Sequence, residues 1–146
     1  MTINPINSKK TKDLEDFKIN VKFKLSALWT AVMFCYIYGD YFSLYVPNQI
    51  ERFINGETLL DSPLKLFAAS ILMTIPALMV FLSLALKPKM SRWLNILFGT
   101  LYTAIMTLIA ITSIAPWWTF SVFLAIIEIL ITSIIVWYAW RWPKQG

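Results

Sequence analysis

Histidine is absent from the chain, and cysteine occurs only once, at Cys35. Without histidine, the chain lacks the commonest general base and the commonest metal ligand of proteins. A lone cysteine cannot close an intrachain disulfide. The sequence also contains no glycine-rich phosphate loop, no cysteine or histidine metal set and no serine–histidine pair. We therefore expect no enzymatic activity, no metal site and no cofactor.

Charged residues are also scarce: they make up 14% of the 146 residues, whereas hydrophobic residues make up 58%. A soluble domain is usually about a quarter charged and about half apolar. A transmembrane helix needs about 20 apolar residues, and a helix satisfies its own backbone hydrogen bonds in lipid. The sequence therefore predicts an all-α fold, an integral membrane bundle of four transmembrane helices. The four apolar stretches are residues 25–46, 64–86, 93–115 and 117–140.

The basic residues are distributed unevenly around these stretches. Six lysines precede the first stretch, three basic residues separate the second from the third, and two follow the fourth; only Arg52 and Lys65 lie on the other side. Because cytoplasmic segments are enriched in lysine and arginine, both termini (residues 1–24 and 143–146) are predicted to be cytoplasmic, with residues 47–63 as an outer loop. The fourth stretch follows Pro116 at once, so we expect the third and fourth helices to be adjacent and antiparallel.

The net charge of +5 is interpreted as a signal of this orientation, and no nucleic-acid partner is expected. The expected partners are the lipid bilayer and further copies of the chain, as a homo-oligomer. The lysine-rich tail is interpreted as a solvated anchor, with a specific site for anionic lipid as the alternative. Residues 1–12 are predicted to be disordered. Residues 17–25 alternate apolar and polar side chains, which predicts either a strand-like lead-in or a segment lying on the headgroups.

Several residues in the connections are typical of helix ends. Asn48 is predicted to cap a short helix that ends at Gly56. Ser62 followed by Pro63 is typical of a helix start, and Ser91 is a further expected cap. Tryptophan and tyrosine concentrate near the ends of the stretches, as in the aromatic belts of membrane proteins. The expected inner belt is Trp29, Trp93, Trp137, Trp140 and Trp142, and the outer belt is Tyr41, Tyr45, Trp117 and Trp118.

Glu128 is the first candidate site residue, because it lies close to the middle of the fourth stretch. A charged side chain at the bilayer centre costs at least roughly 2.5–3.5 kcal/mol, and the four stretches contain only one basic residue, Lys65, near the start of the second. Three states of Glu128 remain open: a protonated carboxyl group, a carboxylate that holds a cation or basic ligand, or a carboxylate in contact with water.

The neighbours of Glu128 in the sequence predict a polar seam. Ser121, Ala125, Glu128 and Thr132 recur at helical spacing, and Gly99, Thr103 and Thr107 follow one another at four-residue steps in the third stretch. Small residues at this spacing allow helices to approach closely, and threonines hydrogen-bond across the contact. Thr103 or Thr107 is therefore the expected partner of Glu128. Either the glutamate is structural and hydrogen-bonded, or it handles a ligand, ion or proton.

Asp40 is the second candidate, near the outer end of the first stretch. Trp29, Met33, Tyr36, Asp40 and Ser43 follow one stripe of a helix. The hydroxyl groups of Tyr36 and Ser43 are expected to donate to the Asp40 carboxylate, and Gly39 is expected to allow another backbone to approach. The stripe predicts either a vestibule that opens to the outside or a local hydrogen-bonded cap.

Pro76 lies near the centre of the second stretch, where it removes one backbone donor and frees the carbonyl group of Leu72. A proline in this position is a candidate hinge, and the alternative is that it only shapes the packing.

The segment LSALWTAVMFCYIYGDYFSLYVPN, residues 25–48, carries a further signal. Its opening L-x-x-L-W, its Tyr36 and Tyr38 ahead of Asp40, and its S-L-Y followed by Pro47 resemble a family of small bacterial four-span membrane proteins of unknown function. In that family the first span ends in Y-x-x-D, then S-L-Y and a proline, and a glycine usually follows where this chain has Asn48. The resemblance implies four spans and the bacterial cytoplasmic membrane, and it brings no assigned activity.

These signals together predict a small membrane protein that binds or moves a small solute, cation or proton. Glu128 would be the central site, Asp40 and Tyr36 the outer approach, and Pro76 the bending point. The rival is a non-transporting structural or accessory protein in which both carboxyl groups are neutral and packed. An intramembrane enzyme is disfavoured because Asp40 and Glu128 lie at different predicted depths.

Overall fold

The computed structural model describes residues 18–143, and they fold into helices joined by short connections. No strand occurs among these residues, so the all-α prediction is confirmed. Five α-helices and one 3₁₀ turn follow one another: α1 (Val21–Ser43), α2 (Gln49–Ile54), α3 (Pro63–Ala85), α4 (Pro88–Thr112), the turn Pro116–Trp118 and α5 (Thr119–Trp140). The start of α1, the end of α3, the start of α4 and the end of α5 form the basic end of the molecule, at which Lys22, Lys89 and Arg92 lie.

Three helices are long and apolar enough to cross a membrane: α3, α4 and the segment Pro116–Trp140 that contains α5. The prediction of membrane-spanning helices is therefore confirmed for three of the four stretches. The first stretch also forms a long helix, α1, but Asp40 and three tyrosines make its last third less apolar than the other three.

The four long helices contact one another in a closed order. The most extensive contact joins α4 to α5, as their short connection predicts; α1 contacts α3 and α5, and α3 contacts α4. The interior holds Leu25, Trp29 and Val32 of α1, with Tyr102 of α4 and Ile135 of α5, all essentially without solvent exposure. Every long helix thus contributes one face to a common core.

The outer surface of these helices is as apolar as the core. Phe67, Leu108 and Leu130, for example, are each more than half exposed. Extended apolar surface on a protein requires an apolar neighbour, and three helices of spanning length make lipid the natural one. The distribution of side chains therefore agrees with the composition: this is a membrane protein.

The start of α1 differs from the sequence-based expectation. The helix begins at Val21, where the side chain of Asn20 accepts a hydrogen bond from the Lys22 backbone N–H at 3.0 Å. The Lys22 ammonium then donates to the carbonyl oxygens of Leu84 and Leu86 at the end of α3. The strand-like interpretation of residues 17–25 is therefore wrong, and the helical part starts four residues before the predicted boundary at residue 25. The disorder predicted for residues 1–12 lies outside the described residues.

The predicted short helix of the outer loop is confirmed in α2, and so is its end at Gly56. Gly56 has φ 73°, a left-handed conformation that favours glycine. The N–H groups of Glu57 and Gly56 close the helix by donating to the carbonyl groups of Arg52 and Phe53, which is the usual glycine-terminated helix end. Asn48 precedes α2 as predicted, but its side chain makes no capping hydrogen bond.

The other predicted helix starts have opposite outcomes. Ser62 caps α3 by accepting from the Lys65 N–H at 3.3 Å, and Pro63 occupies the first position as predicted. Ser91 is not a cap, because α4 already begins at Pro88. Its hydroxyl group is buried and donates to the Ser83 carbonyl oxygen at 3.2 Å.

The predicted tryptophan belt is also mixed. Four of its members are 50–65% exposed, as residues that contact headgroups need to be; they are Trp93, Trp117, Trp137 and Trp140. Trp29 is fully buried, and its indole N–H donates to the side-chain oxygen of Asn95 at 2.7 Å. The interfacial interpretation of Trp29 is therefore wrong: the indole belongs to an internal hydrogen-bond network.

Candidate functional site

Glu128 lies on the inward face of α5. Its side chain is only 3% exposed, and Ala125 and Thr132 on the same face are likewise buried. The helical spacing of these residues in the sequence therefore identified the inward face of α5 correctly. The carboxyl oxygen Oε2 of Glu128 is fully buried and has no hydrogen-bond partner among residues 18–143. An unpaired buried oxygen of this kind is uncommon in folded proteins and calls for an explanation.

The predicted threonine partners are placed differently. Thr103 donates to the Thr132 hydroxyl at 2.7 Å, and Thr132 in turn donates to the backbone carbonyl of Glu128 at 2.8 Å. Thr107 is exposed and donates to the backbone carbonyl of Thr103. Neither threonine makes a hydrogen bond to the Glu128 carboxyl group in the described part of the chain. The expected pairing is therefore wrong, because a threonine in a helix readily bonds the carbonyl four residues before it.

Gly99, the first residue of the row that continues with Thr103 and Thr107, explains how closely α4 and α5 approach. A Cβ atom added to Gly99 would lie 2.7 Å from a methyl group of Val136 and 3.5 Å from the Thr132 carbonyl oxygen. Only glycine leaves enough room for this approach. The close contact predicted from the spacing of small residues is thus present, and it brings Thr103 to Thr132.

The helix that carries Glu128 packs against α1. Tyr36, Asp40 and Cys35 of α1 are close enough to the Glu128 carboxyl group to interact with it electrostatically. The Tyr36 side chain is buried, and its hydroxyl group, like Oε2 of Glu128, has no hydrogen-bond partner within residues 18–143. Two buried and unpaired polar groups therefore lie near each other at the α1–α5 contact. We call them the Glu128–Tyr36 site.

Asp40 lies one helical turn beyond Tyr36, where α1 becomes exposed. The Ser43 hydroxyl group donates to the backbone carbonyl of Asp40 at 2.6 Å and not to its carboxylate. The expected donation by Tyr36 and Ser43 to the Asp40 carboxylate is therefore wrong. A Cβ atom added to Gly39 would lie at an ordinary 3.7 Å from a side-chain methyl group of Leu124, so the predicted backbone approach is not what this glycine provides. Along the predicted stripe, Trp29 and Tyr36 are buried, Met33 is half-buried and Asp40 is exposed.

Pro76 is buried inside α3, which continues through it without a break. The carbonyl group of Leu72, which the proline deprives of its helical donor, accepts a hydrogen bond from the Tyr102 hydroxyl of α4. The freed carbonyl was predicted from the sequence; its partner was not. Tyr102 also packs against Tyr36, with ring centroids 6.3 Å apart. The proline is thus connected to the Glu128–Tyr36 site through one aromatic side chain.

A second polar group, which the sequence analysis missed, is buried nearer the basic end. Asn95 of α4 has no solvent exposure; it accepts from the Trp29 indole and donates to the Ser91 carbonyl oxygen at 2.8 Å. The Ser83 hydroxyl group lies 3.3 Å from the Asn95 amide oxygen, and Ser91 donates to the Ser83 carbonyl. We call Trp29, Ser83, Ser91 and Asn95 the inner polar cluster. The signal was available, since Asn95 is the one carboxamide in the four apolar stretches.

The arrangement limits the chemistry that the site can perform. No group of three or more Cys, Asp or Glu side chains that could hold a metal ion occurs in the described residues. A carboxyl group beside a phenol can bind a proton, a cation or a hydrogen-bonding solute. Four surface cavities of 300–790 Å³ are lined by other residues, so none of them opens onto Glu128.

Comparison with known proteins gives a family and no activity. No curated protein and no solved structure matches the chain. A family of unknown function, DUF6326, matches residues 13–146, which is nearly the whole chain. This agrees with the expected membership in an uncharacterised family, although it does not test the span number or the motif of the first stretch. On this match, the chain belongs to the family of unknown function DUF6326.

Proposed function

We propose that this membrane protein binds or moves a proton, a small cation or a small solute through the carboxyl group of Glu128. The observation that carries the proposal is the pair of unpaired polar atoms at the α1–α5 contact, Oε2 of Glu128 and the hydroxyl group of Tyr36. A buried group that only stabilises the fold is normally hydrogen-bonded, because leaving it unpaired costs about 1–3 kcal/mol. A group that has to exchange a ligand needs free hydrogen-bonding capacity.

The approach to Glu128 runs along α1 in this proposal. Asp40 is exposed, Tyr36 is buried one turn further in, and Glu128 lies within electrostatic range of both. A cation or proton would first meet Asp40 and then pass the phenol. Since like charges on two nearby carboxylates repel each other, a positive charge shared with this pair would be favourable.

The side toward the basic end is closed by packing. Thr103 and Thr132 are hydrogen-bonded to each other, and the inner polar cluster lies beyond them without solvent exposure. Passage across the whole membrane would therefore require a movement of α1 or α3. Pro76 is the candidate point for such bending, because the segment there depends on Tyr102 for one backbone hydrogen bond.

The setting of the site is also part of the proposal. α1 is taken as a fourth span because its 23 residues equal the length of α3 and because it contacts both α3 and α5. Both termini would be cytoplasmic in a bacterial cytoplasmic membrane, since the basic residues gather at one end. The chain would act as a homo-oligomer, because four short helices rarely enclose a complete pathway. Enzymatic activity is not part of the proposal.

The test is reconstitution of the full chain into liposomes that contain a pH-sensitive dye. We expect the wild type to dissipate an imposed pH gradient, and Glu128→Gln to reduce the flux to that of protein-free liposomes, because an amide cannot release a proton. Glu57→Gln is the matched control, since Glu57 lies exposed in the loop after α2. Equal flux in wild type and Glu128→Gln would contradict a proton pathway through this carboxyl group.

The alternative is a structural or accessory protein in which Glu128 is neutral. One observation favours it: Glu128 lines none of the four cavities described above. Under this alternative, Glu128→Gln would leave both flux and the cellular role of the protein unchanged, whereas substitutions in the inner polar cluster would destabilise the fold.

A further inference from the structure

The largest of the four cavities, about 790 Å³ in volume, lies at the basic end and is lined by residues other than Glu128. It is formed by the start of α1, the start of α4 and the residues that follow α5. Four basic side chains and two tryptophans line it: Lys18, Lys22, Lys89, Arg92, Trp93 and Trp142. Helix packing thus brings together cations that are far apart in the sequence.

Carboxylates do not neutralise this cavity within residues 18–143. No Asp or Glu of that range lines it, and the one ion pair of these residues joins Asp61 to Lys65 at the start of α3, away from the cavity. The Lys22 ammonium contacts only the carbonyl oxygens of Leu84 and Leu86 in this range. The Nη2 atom of Arg92 donates to the Trp140 carbonyl at 3.3 Å, whereas its buried Nε has no acceptor. The cavity therefore carries positive charge that no carboxylate of the described residues offsets.

The backbone adds to this positive potential. Both α1 and α4 begin at the cavity, and Lys87, the residue before α4, makes no side-chain capping hydrogen bond. The first N–H groups of a helix have no acceptor within the helix and favour an anion. Trp93 is 61% exposed beside the cavity, and exposed tryptophan is typical of the headgroup level of a membrane.

We propose that this cavity binds a phosphate group, supplied by the headgroup of an anionic phospholipid. The ammonium and guanidinium groups match the charge of phosphate, and arginine in particular binds it through two donors. A basic pocket between helices at the cytoplasmic level is the expected location for such a headgroup. This inference is independent of the proposed role of Glu128, since the two sites share no residue.

The test uses the full chain in a detergent with an uncharged headgroup, with phosphatidylglycerol, phosphatidylcholine or inorganic phosphate added. Native mass spectrometry counts the retained lipid, and the thermal midpoint reports stabilisation. We expect one phosphatidylglycerol to be retained in preference to phosphatidylcholine. Arg92→Gln with Lys89→Gln should weaken its binding by about tenfold or more, the effect of losing one hydrogen bond to a charged group. Arg52→Gln with Lys65→Gln removes the same charge at α2 and at the start of α3, away from the cavity, and should leave binding unchanged.

Further measurements distinguish an anionic lipid from the other possible ligands of the cavity. Lys89→Gln alone changes an exposed side chain and should weaken binding even if the double variant does not fold. Equal retention of both lipids, or equal loss in the two double variants, would overturn the proposal. Binding of inorganic phosphate without phosphatidylglycerol would assign the cavity to a soluble phosphate and overturn the lipid source. Binding that occurs only after Asp13, Glu15 and Asp16 are changed to their amides would assign it to the chain's own acidic segment.

Discussion

The inner polar cluster and the Glu128–Tyr36 site are both polar, both buried and both built between helices, yet they differ in hydrogen bonding. In the cluster, the Asn95 amide joins Trp29 of α1, Ser83 of α3 and Ser91 of α4. At the site, the Glu128 carboxyl and Tyr36 hydroxyl groups each have an atom without a partner in the described chain. Burial alone therefore does not distinguish the two regions; the satisfaction of their hydrogen bonds does.

The difference has a physical basis. A completely bonded polar group in an apolar interior fixes the relative position of the helices that share it, since any displacement leaves an unpaired donor or acceptor. An unpaired group fixes nothing and destabilises the fold until a ligand or proton completes it. The substitutions below test whether the two regions respond in opposite directions.

The largest effect is expected from Asn95→Ala. The change removes the acceptor of the Trp29 indole and leaves the Ser83 hydroxyl group without its amide partner. We expect a loss of about 2–3 kcal/mol in the free energy of unfolding, because each unpaired buried group costs about 1–3 kcal/mol. Denaturant-induced unfolding of the full chain in detergent measures it. Asn55→Ala, in the exposed loop after α2, is the control, and an equal loss there would remove the structural role of the cluster.

A somewhat smaller effect is expected at Gly99, which lies one turn from Asn95 and one turn from Thr103. The Cβ of Gly99→Ala would meet a Val136 methyl group at 2.7 Å. Overpacking of this kind costs about 1–3 kcal/mol, and we expect about 2 kcal/mol at this contact. Gly39→Ala is the matched control, since its Cβ would make only a 3.7 Å contact with Leu124. If thermal unfolding gives equal midpoints for the two variants, α4 and α5 do not depend on close approach.

Glu128→Leu should act in the opposite direction. Replacing an unpaired buried carboxyl group by an apolar side chain removes its desolvation penalty, so we expect unfolding to become harder by about 1 kcal/mol. The same variant should lose any flux in the liposome assay. A clear destabilisation would mean that the Glu128 carboxyl group is hydrogen-bonded in the folded protein and has a structural role.

The smallest effect is expected at Tyr102, which packs against Tyr36 and connects the Pro76 segment to the Glu128–Tyr36 site. Tyr102→Phe removes the hydrogen bond to the Leu72 carbonyl group and should cost about 1 kcal/mol. In Pro76→Ala, the restored backbone N–H can donate to Leu72 instead, so the same tyrosine substitution should then cost less. A double-mutant cycle measures this coupling. Additive effects would show that Tyr102 does not compensate for the proline.

Much of the fold follows from local properties of the sequence. Runs of more than 20 apolar residues predict long helices because a helix satisfies its own backbone hydrogen bonds in lipid, and α3, α4 and α5 follow that rule. Gly56, Ser62 and Pro63 marked helix ends because their effects act within one turn. The freed carbonyl group of Leu72 was equally predictable, since a proline removes the donor four residues on.

Partners across the helices could not be predicted in the same way. Periodicity placed Glu128 on the inward face of α5, but it could not say that this face meets Tyr36 of α1 while Thr103 meets Thr132. Tryptophan is typical of interfacial anchors, but Trp29 is buried and its indole N–H donates to the Asn95 side chain. Such contacts depend on how each helix is rotated and on which helix lies beside it, and a single sequence fixes neither.

The sequence by itself thus determined that the chain is helical and apolar, where several of its helices end, and that a carboxyl group is carried into the interior. Only the tertiary structure decided that this carboxyl group has an unpaired oxygen, that Asn95 is bonded on all sides, and that four distant basic residues form one cavity. The reason is that helix formation and hydropathy act over a few neighbouring residues, whereas the pairing of buried polar groups is settled by packing between helices.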